Sequence, residues 1–244
     1  MTKSNSKVTC QYCQRNFTKE KTLASHTCEP KRRAQQEKEV GVQIGFQAYL
    51  KFYELTQGST ANKIYQDFAK SAYYTAFVKY GRHMVAIRAL DADNFTTWLL
   101  KNNKKLDYWC SDKFYTEWMM QYLRRENSSD ALVRAIETMQ EYADATEGMV
   151  SLSDYFRFGN PNRICHHIST GRISPWAIYN CETGRRFLER LPGDQLEMIY
   201  PYIDPEYWNR HIHDLPEETA WTQQVLKTAG LDRKSTRLNS SHVK

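Results

Sequence analysis

The sequence predicts a mainly α protein, in which a small, metal-pinned ββα segment at the N-terminus precedes an all-α body. Three observations predict it. Cysteine and histidine recur in residues 10–28 with the spacing of a structural metal site. Apolar residues from Phe46 onward recur at i+3, i+4 and i+7, and no stretch sustains the period-two alternation of a half-buried sheet. The body, 42–231, is long enough for one sizeable core or for two small lobes, 42–126 and 127–231.

The N-terminal element is CQYCQRNFTKEKTLASHTC. Cys10 and Cys13 form a Cys-x2-Cys knuckle, twelve residues follow, and then comes His26; Phe17 and Leu23 are the apolar residues between these ligands. The stretch resembles the two-Cys, two-His zinc-finger family across roughly residues 7–30 of an N-terminal segment 1–30. That resemblance implies one structural zinc, with Phe17 and Leu23 as the very small core of a ββα finger. The departure is the fourth ligand, where this chain offers Cys28 only two residues after His26. Residues two apart on a continuing helix point to nearly opposite sides, so Cys28 closes the site if the helix ends near His26. Pro30 favours that ending, because it disfavours helix at Glu29. The ligand set is therefore Cys10, Cys13, His26 and Cys28. A closed set of four leaves no position for substrate, so the zinc is expected to fold the segment and not to catalyse.

Aligned on Leu23 and His26, the positions that family members use to read bases fall on Lys19, Thr22 and Ser25. Lys31, Arg32 and Arg33 follow as a basic exit suited to phosphates. One finger reads about three base pairs, too few for sequence specificity alone. Its target stays open between nucleic acid, with DNA ahead of RNA, and a protein partner.

Charge separates the finger arm from the body. The net charge is +6, yet residues 1–39 hold nine Lys/Arg against four Asp/Glu and residues 232–244 hold four against one, so the stretch between carries two more acids than bases. The tail itself, DRKSTRLNSSH from Asp232 to His242, is similar to the translation of a common sequencing-library adapter. Residues 232–244 are read as an assembly artefact, with the native chain ending or truncated near Leu231. Basicity across the whole surface is thereby excluded as an argument for nucleic-acid binding. No apolar run approaches the roughly 20 residues of a membrane span, no signal peptide opens the chain, and Cys110, Cys165 and Cys181 form no disulfide framework. A soluble cytoplasmic protein is expected, in the host cytoplasm if it is phage-encoded.

Behind the finger, 31–41 is a basic, polar linker, either a solvated helical extension or a tether. Phe46, Tyr49, Leu50 and Tyr53 share a helix face that ends in the Gln57, Gly58, Ser59 turn. A second helix runs from about Asn62 to Ala69, and a third from Ser71 as cap to Gly81 as stop, burying Tyr74, Phe77 and Val78. His83–Leu90 fits a short strand or a helix. Asp91 and Asp93 offer caps for a helix through Phe95, Trp98 and Leu99, whose end at Lys101–Lys105 suits either the helix dipole or phosphates. Ser111 or Asp112 caps the next, with Tyr115, Trp118, Met119, Tyr122 and Leu123 buried, and Ser129 caps another through Leu132, Ile136 and Met139. Asn160-Pro161, Ser174-Pro175 and Asp204-Pro205 each read as cap and first helical position, with Gly171 stopping the first. Glu217–Gly230 is the last, around Trp221, Val225 and Leu226.

No Walker loop, Rossmann fingerprint or nucleophile elbow is present. His166 and His167 are neighbours about 100° apart on a helix, and His211 and His213 fall in what reads as a solvated turn, so neither pair makes a convincing metal or acid–base site. No small-molecule substrate is indicated. The runs GFQAYLKFYEL and KIYQDFAKSAYYTAFVKYG, and above all HHISTGRISPWAIYNCETGRRFLERL followed by IDPEYWNRHI, resemble the replicative helicase-loading proteins of T-even-type bacteriophages over 42–229. The resemblance implies an all-α, two-lobed, non-enzymatic replication accessory that binds forked DNA and bridges the hexameric helicase and single-strand-binding protein. A protein-interaction or transcription-regulating adaptor, and a zinc enzyme using His166, His167, His211 or His213, are the alternatives.

Overall fold

A computed structural model describes residues 7–58, 63–147 and 149–231. The adapter-like segment 232–244 and the expected helix start at Asn62 lie outside them. Among the described residues the one sheet is a hairpin of β1 (Val8–Thr9) and β2 (Asn16–Phe17), antiparallel, with Val8 opposite Phe17 and Thr9 opposite Asn16. All other regular structure is helical, so the fold is a small ββα segment followed by an all-α body. The chain divides into two compact units at Tyr115/Thr116, where the sequence suggested lobes meeting at 126/127.

In the first unit α1 (Glu20–Ala24) completes the ββα segment and is followed by α2 (Glu29–Gln35), α3 (Val40–Gln57), α4 (Tyr65–Lys70), α5 (Tyr74–Ala86) and α6 (Ala92–Lys101). The division falls within α7 (Asp112–Leu123). Gly58 ends α3 with φ 67°, as its turn signal indicated, and the Asp91 carboxylate caps α6 by accepting the Asn94 N–H at 2.9 Å.

Gly81 departs from expectation. It does not stop α5, which runs on to Ala86 and so settles the first part of His83–Leu90 as helix. Gly81 is where α5 touches α3: a Cβ there would lie 1.9 Å from the Gly41 carbonyl oxygen and 2.5 Å from the Gly45 nitrogen, and a Cβ on Gly45 would lie 2.5 Å from the Phe77 oxygen. Glycine serves here to let two backbones approach, not to end a helix. Around this crossing, Tyr49, Phe68, Phe77, Tyr80, Phe95 and Trp109 form the buried core. The Trp109 indole N–H donates to the Lys104 carbonyl at 2.9 Å, and the Lys104 ammonium lies 4.2 Å from the Phe114 ring centre, so this member of the Lys101–Lys105 cluster is held by aromatic faces.

The second unit continues with α8 (Ser128–Ala145), α9 (Tyr155–Phe158), α10 (Pro161–Ser169), α11 (Pro175–Tyr179), α12 (Glu182–Glu189), α13 (Gly193–Ile203), α14 (Pro205–Asp214) and α15 (Pro216–Thr228). Asn160, Ser174 and Asp204 cap α10, α11 and α14 through their side chains, each with proline next. Asn127, not Ser129, caps α8. The core is built from Trp118, Leu132, Met139, Tyr155, Ile164, Trp176, Phe187, Trp208 and Leu226. A buried carboxylate, Glu126, accepts from Arg134 at 2.6 Å and from the Ser174 hydroxyl at 2.8 Å. Burial nevertheless holds its pKa above the ordinary carboxylate value, Arg134 opposing that rise.

Candidate metal centre and nucleic-acid face

The knuckle is built by backbone hydrogen bonds. The Gln14 N–H donates to the Cys10 oxygen at 2.8 Å, the Cys10 N–H donates to the Arg15 oxygen at 2.9 Å, and Gln14 takes the left-handed conformation with φ 60°. This sharp reversal turns the Cys10 and Cys13 thiols to one side. The backbone N–H of Cys13 also holds the Cys10 thiol below its ordinary pKa, which favours the thiolate that a metal needs.

From the other side, α1 ends at Ala24, ahead of His26. The chain then turns to the extended residue Cys28, the N-cap of α2. That break is what brings two residues only two positions apart to a common point. Pro30, however, does not keep Glu29 out of helix: both lie in the first turn of α2, where proline's missing N–H costs nothing. The ligand atoms of Cys10, Cys13, His26 and Cys28 all lie within 4.8 Å of one another, with Cys10 Sγ to Cys28 Sγ at 4.0 Å and Cys13 Sγ to His26 Nε2 at 3.2 Å. A tetrahedral ion with metal–sulfur bonds of about 2.3 Å and a metal–nitrogen bond of about 2.0 Å sets its ligand atoms roughly 3.5–3.8 Å apart, so the four residues fit a metal. Among the described residues this is the one cluster of three or more potential ligands. Phe17 packs its ring 4.7 Å from the His26 imidazole, and Leu23 is half-buried beside them.

The residues named for nucleic acid divide in two. Lys19, Thr22 and Ser25 are all exposed, though the Ser25 hydroxyl donates back to the Lys21 and Thr22 carbonyls. In the basic exit, Arg32 pairs with Glu29 at 2.5 Å while its side chain keeps 65% of its surface exposed. Lys31 donates to the His26 oxygen at 3.1 Å, bracing the ligand loop. Arg33 is turned inward: it pairs with Glu29 at 2.9 Å, donates to the Ala69 oxygen at 2.7 Å and lies 4.4 Å from the Tyr74 ring centre, while the Tyr65 hydroxyl donates to the Arg33 carbonyl at 2.6 Å. The segment read as linker thus fastens the finger to α4. Glu29, which no sequence motif marks, is the acid that orders this exit, and its pKa is lowered by Arg33 and Arg32. Its i, i+3 and i, i+4 spacing to them is legible only once helix is allowed through Pro30.

The four histidines lie on two helices, His166 and His167 on α10 and His211 and His213 on α14. His167 is buried, its Nδ1 2.7 Å from the Tyr155 hydroxyl and its ring parallel to that of Tyr155, whereas His166 is exposed. His211 and His213 lie on α14 and not in a solvated turn; His211 packs on Trp176, Tyr207 and Trp208, and His213 is exposed beside Asp214. Burial pushes His167 down to about 4 from its ordinary 6.5, with Arg163 adding to it. The unfolded chain then binds this proton more readily than the fold does. Stability is fully present above about pH 6.5 and is lost as pH falls from there through about 4. An NMR titration is expected to show the His167 ring still neutral at pH 5.5, where a solvated histidine is mostly protonated.

No helix among the described residues is long and apolar enough to cross a membrane. No protein family, curated protein or solved structure matches the chain.

Proposed function

We propose that this protein is a non-enzymatic nucleic-acid-binding protein whose N-terminal finger is folded by one structural zinc. The observation that carries the reading is the convergence of three thiols and one imidazole at the base of a hairpin and short helix, with Lys19, Thr22 and Arg32 exposed on the same small unit. A thiolate-rich set of four with tetrahedral reach favours zinc, and such a closed set does structural work. The concentration of Lys/Arg in residues 1–39, against an acidic excess in the body, gives the finger arm the charge that phosphates attract. The finer reading follows the sequence resemblance: a phage-type replication accessory that binds forked DNA and engages a replicative helicase and single-strand-binding protein through the helical body.

Binding of the zinc-loaded protein to fluorescent forked, duplex and single-stranded DNA across a salt series tests this. One zinc per chain and affinity that falls steeply with salt are expected, with a log–log slope of about 0.9 for each phosphate neutralised on duplex. Arg32→Ala should reduce that slope by about one contact. Arg33→Ala should leave the slope unchanged and instead lower thermal stability, because its guanidinium serves Glu29 and Ala69. One zinc with no binding to any DNA, or to single-stranded RNA of the same length, at low salt would rule out the nucleic-acid reading and leave the finger as a protein-docking knob.

A further inference from the structure

Beside the knuckle lies a cleft of ≈710 Å³, walled by the Cys-x2-Cys turn, α2 and α4. Its lining includes Gln11, Tyr12, Gln14, Glu37, Gln66 and Lys70. We propose that this cleft holds an unstacked base of single-stranded nucleic acid, with a backbone phosphate on Lys70. This rests on the nucleic-acid reading above and extends it to a strand preference.

The volume lies within the roughly 300–1,000 Å³ of small-ligand sites, so it suits a nucleotide-sized group and not a duplex. Bases become available to such clefts when they are splayed out of a single strand and stacked on an aromatic ring. Tyr12 provides that ring, 40% exposed at the cleft. Its neighbours suit base edges. The amides of Gln11 and Gln66 offer donors and acceptors, Gln14 offers its amide oxygen while its amide nitrogen donates to the Gln11 carbonyl at 3.0 Å, and Glu37 offers an acceptor for the exocyclic amine of cytosine or adenine. Glu29, also in the lining, is already neutralised by Arg32 and Arg33 and so does not repel a phosphate on the rim. Two of the cleft's walls, α2 and α4, are fixed to each other before any ligand arrives, through Arg33 to Ala69 and Tyr65 to Arg33. Walls already joined lose little freedom on binding.

The test measures zinc-loaded protein against single-stranded DNA and blunt duplex of equal length at one low salt concentration. Tyr12→Ala is expected to weaken single-strand binding about tenfold or more, with duplex affinity changing less than about twofold, and Tyr12→Phe to retain single-strand affinity. Gln66→Ala, on α4 and away from the metal ligands, should weaken single-strand binding by about threefold or more. Tyr12→Ala is scored only with its zinc stoichiometry intact, and Gln66→Ala carries the test if it is not. If the wild type binds DNA and neither change affects the single strand, the cleft assignment is overturned while the nucleic-acid reading stands. If the wild type binds neither DNA nor single-stranded RNA, both fall together.

Discussion

Stripping the metal with a chelator is expected to unfold residues 7–28 while leaving the helical body folded. The reason lies in what that segment lacks. Of its side chains only Cys10 is buried, its two strands are two residues each, and α1 has five residues. Helices so short are not stable alone, and a two-stranded hairpin is marginal at best. A metal held by the four ligands would supply what a core does not, and for zinc-finger peptides the binding free energy is about 10–16 kcal/mol. Cys13→Ser should act in the same direction by removing one thiolate and the contact to His26 Nε2. Two-dimensional NMR checks this. Loss of dispersion confined to residues 7–28, with α2 still anchored to α4 by Arg33 and Tyr65, is the expected result. Collapse of the whole helical signal would show instead that the metal holds the body together.

Gly81→Ala is expected to be the most damaging small substitution in the helical body. Intrinsic helix propensity argues the other way, by about 1 kcal/mol in favour of alanine. Sterics decide the sign. The new methyl would stand 1.9 Å from the Gly41 oxygen and 2.5 Å from the Gly45 nitrogen, and both are backbone atoms that no rotamer change can move. Overpacking of this kind costs about 1–3 kcal/mol and sometimes more, and prising α3 from α5 belongs at the upper end. A fall in melting temperature of about 10 °C should follow for the first unit. Gly45→Ala, facing the Phe77 oxygen at 2.5 Å, should also be destabilising, and Gly41→Ala less so, since its closest neighbours, the Arg82 Cγ at 2.8 Å and Arg82 Cα at 3.0 Å, stand farther off. Gly193→Ala is the control: nothing lies within 4 Å of a Cβ there, so it should be neutral or slightly stabilising. Equal melting temperatures for Gly81→Ala and Gly193→Ala would refute the close crossing of α3 and α5.

Metal ligands, caps and helix faces were legible along the chain because each is a local pattern. Cys10, Cys13, His26 and Cys28 sit within 19 residues, and the Asn160-Pro161, Ser174-Pro175 and Asp204-Pro205 starts need only their own hydrogen-bonding chemistry. Elements whose signals point the wrong way were not. Pro201 lies inside α13, where a proline is a local signal against helix, and α12 is capped by the Cys181 sulfur accepting the Gly184 N–H at 3.3 Å, a cap that composition does not advertise.

The sequence by itself determined the class of the fold, the four candidate ligands and the asymmetry of charge between finger arm and body, since periodicity, spacing and composition are properties of neighbours along the chain. Only the tertiary structure decided that Gly81 is a packing surface, that Arg33 serves α4 and not solvent, that His167 and His211 are held among aromatic rings, and that a cleft opens beside the knuckle. Each of these depends on which distant segment lies opposite. A glycine, an arginine or a histidine has the same local signal whether it faces water or another backbone, and burial against a partner is what gives it a role.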